Sequence, residues 1–209
     1  MGCDRFRLIS AEDRLRLVEV FGQAQERGWI GRQAIDFHID HSLSFAKVFI
    51  GVPTLAVDLG SGGGLPALVL AAVWMKSRWT LVESSLRRAA FLEQHCAELG
   101  WSDRIVVRHV LAQDLGRDES CRGQADLVTA RSFGPQSLVV EVGAPLLRFG
   151  GQLVVSAAPD SLPWPHGALA ALGLGPDRLV GTNPKFHHAT QLALCPRFYP
   201  RIHPDPPLF

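Results

Sequence analysis

The stretch Leu55-Ala56-Val57-Asp58-Leu59-Gly60-Ser61-Gly62-Gly63-Gly64-Leu65-Pro66 decides the fold, together with Leu81-Val82-Glu83-Ser84 at the end of the next apolar run. Residues 55–59 form a short apolar run of the kind that makes a buried strand, and they lead into a loop too rich in glycine to present side chains. A helix is predicted to start at Leu65-Pro66, because proline fits a first helical turn, where its missing N–H has no intrahelical partner. Gly60, Gly62 and Gly64 permit a close approach and φ values that a Cβ would block. Free N–H groups at the helix start would favour a negatively charged or carboxylate-bearing group. The stretch therefore reads as backbone shaped to hold a nucleotide-type cofactor.

Working outward, strand and helix alternate downstream: helix near 65–75, strand near 79–83, helix near 85–99 and strand near 104–109. A strand near 125–130, a helix near 136–147, a turn at Phe149-Gly150-Gly151 and a strand near 152–156 continue the pattern, and strands near 178–180 and 190–194 finish it. Repeated βαβ units require right-handed crossovers, so the fold class is α/β, a doubly wound, mostly parallel, Rossmann-like sheet. Upstream, residues 10–24 set Leu15, Leu17, Val18, Val20 and Phe21 among charges, an amphipathic helix with Ser10 as its cap and Asp13 three positions on. A second helix is predicted over 34–49, with Pro53 closing the region. The expected organisation is an N-terminal helical segment over 1–50, a Rossmann-like domain over 51–195 and an extended proline-rich tail over 196–209.

Composition narrows the class. The chain has 209 residues, 47% hydrophobic and 20% charged, enough for one sizeable core and too apolar for a disordered protein. Its longest apolar runs, 68–75 and 153–158, fall short of the roughly 20 residues that cross a bilayer, and residues 1–5 lack the apolar core of a signal peptide. A cytoplasmic protein with no membrane partner is expected, and a monomer. Cys3, Cys96, Cys121 and Cys195 contain no short-spaced pair, so they read as free thiols rather than a zinc knuckle or disulfide framework. No metal is expected: His38 with His41 and His187 with His188 are the clustered candidates, and they read as exposed or core histidines. A net charge of +1, from 21 Lys+Arg against 20 Asp+Glu, lacks the bias of proteins that hold nucleic acid by bulk electrostatics. Only Lys47, Lys76 and Lys185 are lysines; the arginine excess suits bidentate phosphate recognition or reflects genome base composition.

The spacing of the glycines separates cofactor classes. The dinucleotide fingerprint runs G-x-G-x-x-G, whereas Gly60, Gly62 and Gly64 alternate and Asp58 stands two residues before the first. Alternating glycines preceded by an acid resemble the first motif of Rossmann-like methyltransferases that use S-adenosylmethionine. The resemblance implies that Gly60, Ser61, Gly62, Gly64 and Leu65 lie along the methionine portion of the donor, and that Asp58 orients the loop or the donor's amino group. Glu83 would then accept from both ribose hydroxyls, a task suited to a carboxylate because both hydroxyls are donors.

A closer match emerges from the motifs in order. Val57–Pro66, Leu81–Ser84 followed by Arg87-Arg88-Ala89-Ala90-Phe91-Leu92, and Ala125-Asp126-Leu127-Val128-Thr129-Ala130-Arg131-Ser132-Phe133 closely resemble the RsmG family, also called GidB. Pro145-Leu146-Leu147-Arg148, Gly150-Gly151-Gln152-Leu153, His38-Ile39 with Ser42-Leu43, and Tyr199-Pro200-Arg201 extend the match over most of the chain. Members are bacterial methyltransferases acting on N7 of a guanine in small-subunit ribosomal RNA. The resemblance therefore implies S-adenosyl-L-methionine as cofactor and ribosomal RNA or the small ribosomal subunit as partner. It places Ala112 and Gln113 beside the adenine and Arg131, the candidate catalytic residue, at the end of the fourth strand. There Arg131 would hold the donor carboxylate or position the guanine, with a salt bridge at the sheet edge as the alternative; Phe133 would stack on a base or pack locally.

Methylation at N7 uses an available lone pair, so it asks for alignment and exclusion of water and not for a general base. In agreement, Thr129–Phe133 lacks both the Asn/Asp-Pro-Pro-aromatic run used on exocyclic amines and the Pro-Cys nucleophile used on pyrimidine carbon. The chain also departs from the family. Leu111-Ala112-Gln113-Asp114 replaces Arg-Ala-Glu-Glu, Asp40-His41-Ser42-Leu43 replaces Leu-Asp-Ser-Leu, Ala157-Ala158 replaces a lysine-glycine, and the tail after Arg201 lacks lysines. All of these touch the presumed RNA side. Methylation of a small molecule, and a non-catalytic module retaining the donor-binding fold, therefore stand as alternatives.

Overall fold

The computed structural model describes residues 9–181 and 184–193. Cys3, Cys195, the Tyr199-Pro200-Arg201 match and the proline-rich tail expected over 196–209 lie outside the described residues. The elements run α1 (Ala11–Glu26), α2 (Ile35–Val48), β1 (Leu55–Leu59), α3 (Ala67–Val73), β2 (Arg78–Glu83), α4 (Leu86–Glu98) and β3 (Ile105–His109). They continue with α5 (Ala112–Leu115), β4 (Ala125–Ala130), α6 (Gln136–Gly143), a 3-10 turn at Ala144–Leu146, β5 (Leu147–Ala157), α7 (His166–Ala171), β6 (Arg178–Val180) and β7 (Lys185–Thr190).

The strands lie in the order β3-β2-β1-β4-β5-β7-β6. From β3 to β5 every neighbour is parallel, while β7 runs antiparallel to both β5 and β6. This is the doubly wound, mostly parallel sheet that the alternation predicts. Strand order reverses between β1 and β4, so the loops leaving their carboxyl ends diverge and open a crevice there.

The pleat divides the core. Ala56, Trp79, Leu81, Leu127 and Val154 share one apolar cluster with residues of α1, α2, α3 and α4, whereas Val57, Leu59, Val82, Val128, Ala130, Leu153 and Val155 share the other with α5, α6 and α7. The N-terminal helices thus belong to the core cluster on one face of the sheet. Helix α1 starts as expected: Ser10 Oγ accepts from the Asp13 N–H at 3.0 Å and donates to Asp13 Oδ2 at 2.8 Å.

Several boundaries depart from the sequence expectation. Helix α3 begins at Ala67 and Pro66 is its cap residue, because Gly64 N–H donates to Ser61 O at 2.7 Å and a turn occupies the residues before it. The turn expected at Phe149-Gly150-Gly151 is an irregular part of β5: Leu147 pairs with Ala125 and Gln152 with Leu127, so the intervening residues bulge from the ladder, with Gly150 at φ 76°. The last strand among the described residues is Lys185–Thr190, ahead of the one expected near 190–194, of which residue 194 lies outside the described residues. There His187 and His188 are buried, held by Asp177 and Gln152 respectively. Short helices α5 and α7 were not expected at all. Cys96 is buried, which pushes its thiol up to about 12, and Cys121 is partly exposed; both are free.

Candidate functional site

Four stretches meet where β1, β2 and β4 end: Gly60-Ser61-Gly62-Gly63 with Leu65, Glu83-Ser84 with Arg88, Arg131-Ser132-Phe133, and Trp29-Ile30-Gly31 from the α1–α2 connection. They enclose a cleft of about 270 Å³. Its position is the crevice that the strand order creates.

The loop is bare for steric reasons. Gly60, Gly62 and Gly64 have φ of 66°, 55° and 99°, the left-handed region that side chains resist. A Cβ on Gly60 would lie 2.5 Å from Phe133 Cδ2, and one on Gly64 2.5 Å from Leu68 Cδ1. Gly63 answers to packing instead, since its Cβ would lie 2.8 Å from Ile30 Cγ1 and 2.9 Å from Ala24 Cβ. The first turn of α3 does not line the cleft, and in the loop the N–H groups of Ser61, Gly62 and Gly64 are taken up by Val82 O, Glu83 Oε2 and Ser61 O, so the expectation of free N–H groups at a helix start is not met at these positions.

Glu83 is 2% exposed and clamps this loop. Its Oε2 accepts from Gly62 N–H at 2.9 Å, and its Oε1 accepts from Ser85 N–H at 2.8 Å and Arg88 Nη2 at 2.9 Å. A carboxylate offers about four acceptor positions, which leaves one on Oε2 for a ligand while Arg88 fills the second on Oε1. Asp58 lies behind the cleft wall. Its Oδ1 accepts from Thr129 Oγ1 at 2.6 Å, tying β1 to β4, and its Oδ2 is buried without a partner. Burial raises its carboxyl to about 7, against the lowering effect of the Thr129 hydrogen bond.

Arg131 follows β4 directly and lines the cleft. Its Nη2 donates to His38 Nδ1 at 2.7 Å, while its Nη1 is buried and has no partner. Burial lowers its pKa, partly offset by Asp58. Among the described residues no carboxylate pairs with it, so the sheet-edge salt bridge is replaced by a hydrogen bond to a histidine. Ser132 is the one non-glycine with positive φ, 55°, among the described residues. That uncommon conformation sits between two cleft-lining neighbours, Arg131 and Phe133.

Of the residues singled out from sequence, Gly60, Ser61, Gly62, Leu65, Glu83, Arg131 and Phe133 come together at the cleft. Asp58 and Gly64 support it from behind. Ala112 and Gln113 do not line it; Ala112 is buried in the second core cluster and Gln113 is partly exposed. Sequence reasoning missed Trp29, Ile30, Gly31, Ser84, Arg88 and Ser132 as lining residues. Arg88 lies five residues beyond the strand-end acid, in the first turn of α4, which is a usable signal, but the Trp29–Gly31 contact is purely tertiary. The histidine pair is structural: His187 Nδ1 meets Asp177 Oδ2 at 2.6 Å and His188 Nε2 meets Gln152 Oε1 at 2.8 Å. Among the described residues no group of three or more His, Cys, Asp or Glu could hold a metal.

The strand order, with a glycine loop and an acid at the tips of its first two strands, defines the fold of the class I, Rossmann-like methyltransferases. Solved structures agree. A methyltransferase from Geobacter sulfurreducens superposes with a TM-score of 0.61 at 14% identity, covering 86% of this chain and 89% of that one. Geranyl diphosphate C-methyltransferase from Streptomyces coelicolor, solved with S-adenosyl-L-homocysteine, gives 0.58 at 13% identity, covering 77% and 81%. The family follows from sequence. Residues 32–159 match the family model described as GidB, rRNA small subunit methyltransferase G. Relatives named ribosomal RNA small subunit methyltransferase G are 35% identical in Nocardioides sp., covering 83% of this chain and 75% of the relative, and 36% identical in Roseiflexus castenholzii, covering 73% and 65%. In Prochlorococcus marinus the identity is 41%, over 49% of this chain and 42% of the relative. Several of these matches thus span less than two thirds of the relative's length. The chain belongs to the RsmG (GidB) family.

Proposed function

We propose that this protein transfers a methyl group from S-adenosyl-L-methionine to N7 of a guanine in small-subunit ribosomal RNA. The observation that carries the reading is the convergence, in a member of this family, of the bare loop, the buried Glu83 and Arg131 with its unpartnered Nη1 on one cleft. These residues fit the donor. The loop accepts it along backbone, and the open position on Glu83 Oε2 suits one ribose hydroxyl. Oε1 would be open to the other hydroxyl only in place of Arg88, whose side chain is 37% exposed. Arg131 Nη1 suits the donor carboxylate. When bound, the donor supplies an electrophilic methyl group on a sulfonium.

The remaining work falls to the chain. The Asp58–Thr129 bond holds the ends of β1 and β4 together beneath the loop, and Phe133 packed against Gly60 supplies an apolar wall that excludes water. The nucleophile is a lone pair that carries no proton, so positioning suffices. No helix among the described residues is long and apolar enough to cross a membrane; we infer that the reaction takes place in the cytoplasm, where such a substrate resides.

The test is methyl transfer from labelled donor to small ribosomal subunits and to naked small-subunit RNA, followed by mass spectrometry of the nucleosides. The expected product is 7-methylguanosine at one site. Protein that binds S-adenosylhomocysteine in calorimetry but labels neither acceptor would reject the RNA reading in favour of a small molecule, and folded protein that does not bind it would leave only a non-catalytic module.

A further inference from the structure

We propose that His38 of α2 is the positioning residue for Arg131, fixing the guanidinium in the cleft wall through an unprotonated Nδ1; the proposal rests on the donor reading above. His38 is 2% exposed. Its Nε2 lies 3.0 Å from Gly31 O, a carbonyl that can only accept, so the proton sits on Nε2. Nδ1 is then a lone pair, and it accepts from Arg131 Nη2 at 2.7 Å. One neutral imidazole thereby joins two walls of the cleft, the Trp29-Ile30-Gly31 segment and the end of β4. It leaves Arg131 Nη1 as the buried group with no partner.

A carboxylate would be the ordinary partner for a buried guanidinium, and among the described residues none pairs with Arg131. The acids of α2 are Asp36 and Asp40, both exposed and both paired with Arg14 of α1, at 2.6 and 3.5 Å. The following position is His41, in ring contact with Phe45 and Phe186. Burial, Arg131 and His38 all hold His41 in its neutral form, so it adds no second positive charge beside Arg131. The titratable and charged groups facing His38 are Arg131 and His41; behind Arg131 stands Asp58, bonded to Thr129. Burial also disfavours the charged form of His38 itself, which keeps the lone pair in place.

Two conservative variants separate this role from simple packing. In His38→Asn the side-chain oxygen can stand where Nδ1 accepts from Arg131, but the bond to Gly31 is lost. In His38→Gln the amide can still donate to Gly31, and the acceptor at the Nδ1 position is lost. Calorimetric titration with S-adenosylhomocysteine is expected to give Asn binding within about threefold of the parent and Gln weaker by about tenfold or more, the effect of one hydrogen bond to a charged group. Nitrogen-15 NMR of the ligand-free proteins supplies a readout without donor. Arg131 Nη signals are expected to be protected from solvent exchange in the parent and Asn forms and to exchange rapidly in Gln. Equal behaviour of the two variants, in either direction, would overturn the proposal, as would a parent spectrum with His38 Nδ1 protonated. If the parent fails to bind S-adenosylhomocysteine while Arg131 is protected, the donor reading fails and the positioning geometry survives.

Discussion

Asp58 and His41 are titratable side chains whose burial acts in opposite directions. Folded Asp58 keeps its proton up to about 7, whereas an unfolded Asp loses it near 3.8, so its contribution is present below 3.8 and is lost as pH rises to about 7. Folded His41 takes a proton only near 4, against 6.5 when unfolded, so its contribution is present above 6.5 and is lost as pH falls to about 4. Over the shared window the two nearly cancel. With that pair offset, the slope left in urea denaturation of the parent between about pH 4 and 6.5 is expected to be a rise of stability with pH from His38 and His188, whose charged forms burial also disfavours. Asp58→Asn removes one side of the balance, and its stability is expected to rise with pH there more steeply than the parent's, by up to ~1.4 kcal/mol per unit. An unchanged pH profile would show that Asp58 ionises normally. At this scale the sequence showed the residues that touch a ligand through backbone or a strand-end position, Gly60, Gly62 and Glu83. It did not show Ser132 or His38 as site groups, because a left-handed φ at serine and a histidine-arginine bond 93 residues apart leave no local pattern.

The elements are held by single residues that resist replacement. Gly63 lets α1 and Ile30 press against the loop, so Gly63→Ala is expected to cost about 1–3 kcal/mol by overpacking, with Ala24→Gly in the same chain restoring part of it. Denaturation midpoints of the single and double variants test this, and additive losses would argue against the contact. On the far side of the sheet, Asp177 is fully buried and accepts from Trp164 N–H at 2.9 Å, His187 Nδ1 at 2.6 Å and His188 N–H at 3.1 Å. Asp177→Ala leaves those three donors unpaired and is expected to cost about 3 kcal/mol or more, each orphan contributing roughly 1–3. Affinity for S-adenosylhomocysteine should hold in that variant, since β6, β7 and α7 do not line the cleft; a large loss of affinity would show coupling between the halves. The same network explains why β7 was misplaced by sequence reasoning. Paired histidines carry no strand signal until the buried acid that satisfies them is known, whereas β1 to β4 were legible because each is a short stretch rich in apolar residues set between helical or glycine-rich segments.

For the whole molecule, a net charge of +1 limits how far bulk electrostatics can hold RNA. Binding to small ribosomal subunits is expected to weaken only gently with salt, with a slope of log affinity against log salt of about −3 or shallower, since each neutralised phosphate adds ~0.7–0.9. Filter binding between 50 and 200 mM salt measures it, and a much steeper slope would reveal a concentrated basic face that the overall charge conceals. The parallel α/β class was readable from alternation, because a βαβ unit admits one crossover hand, whereas the point at which strand order reverses, between β1 and β4, appears only in the fold. The wall contributed by Trp29-Ile30-Gly31 was not readable either, because it depends on how the helices dock. Every cleft-lining residue falls between Trp29 and Phe133, although the described chain continues to residue 193. The described residues after Phe133 thus take no part in lining the cleft and reach it only through the fold. Random mutagenesis scored separately for donor capture and for thermal resistance should split along the chain near that point, with substitutions beyond it costing thermal resistance while sparing donor capture.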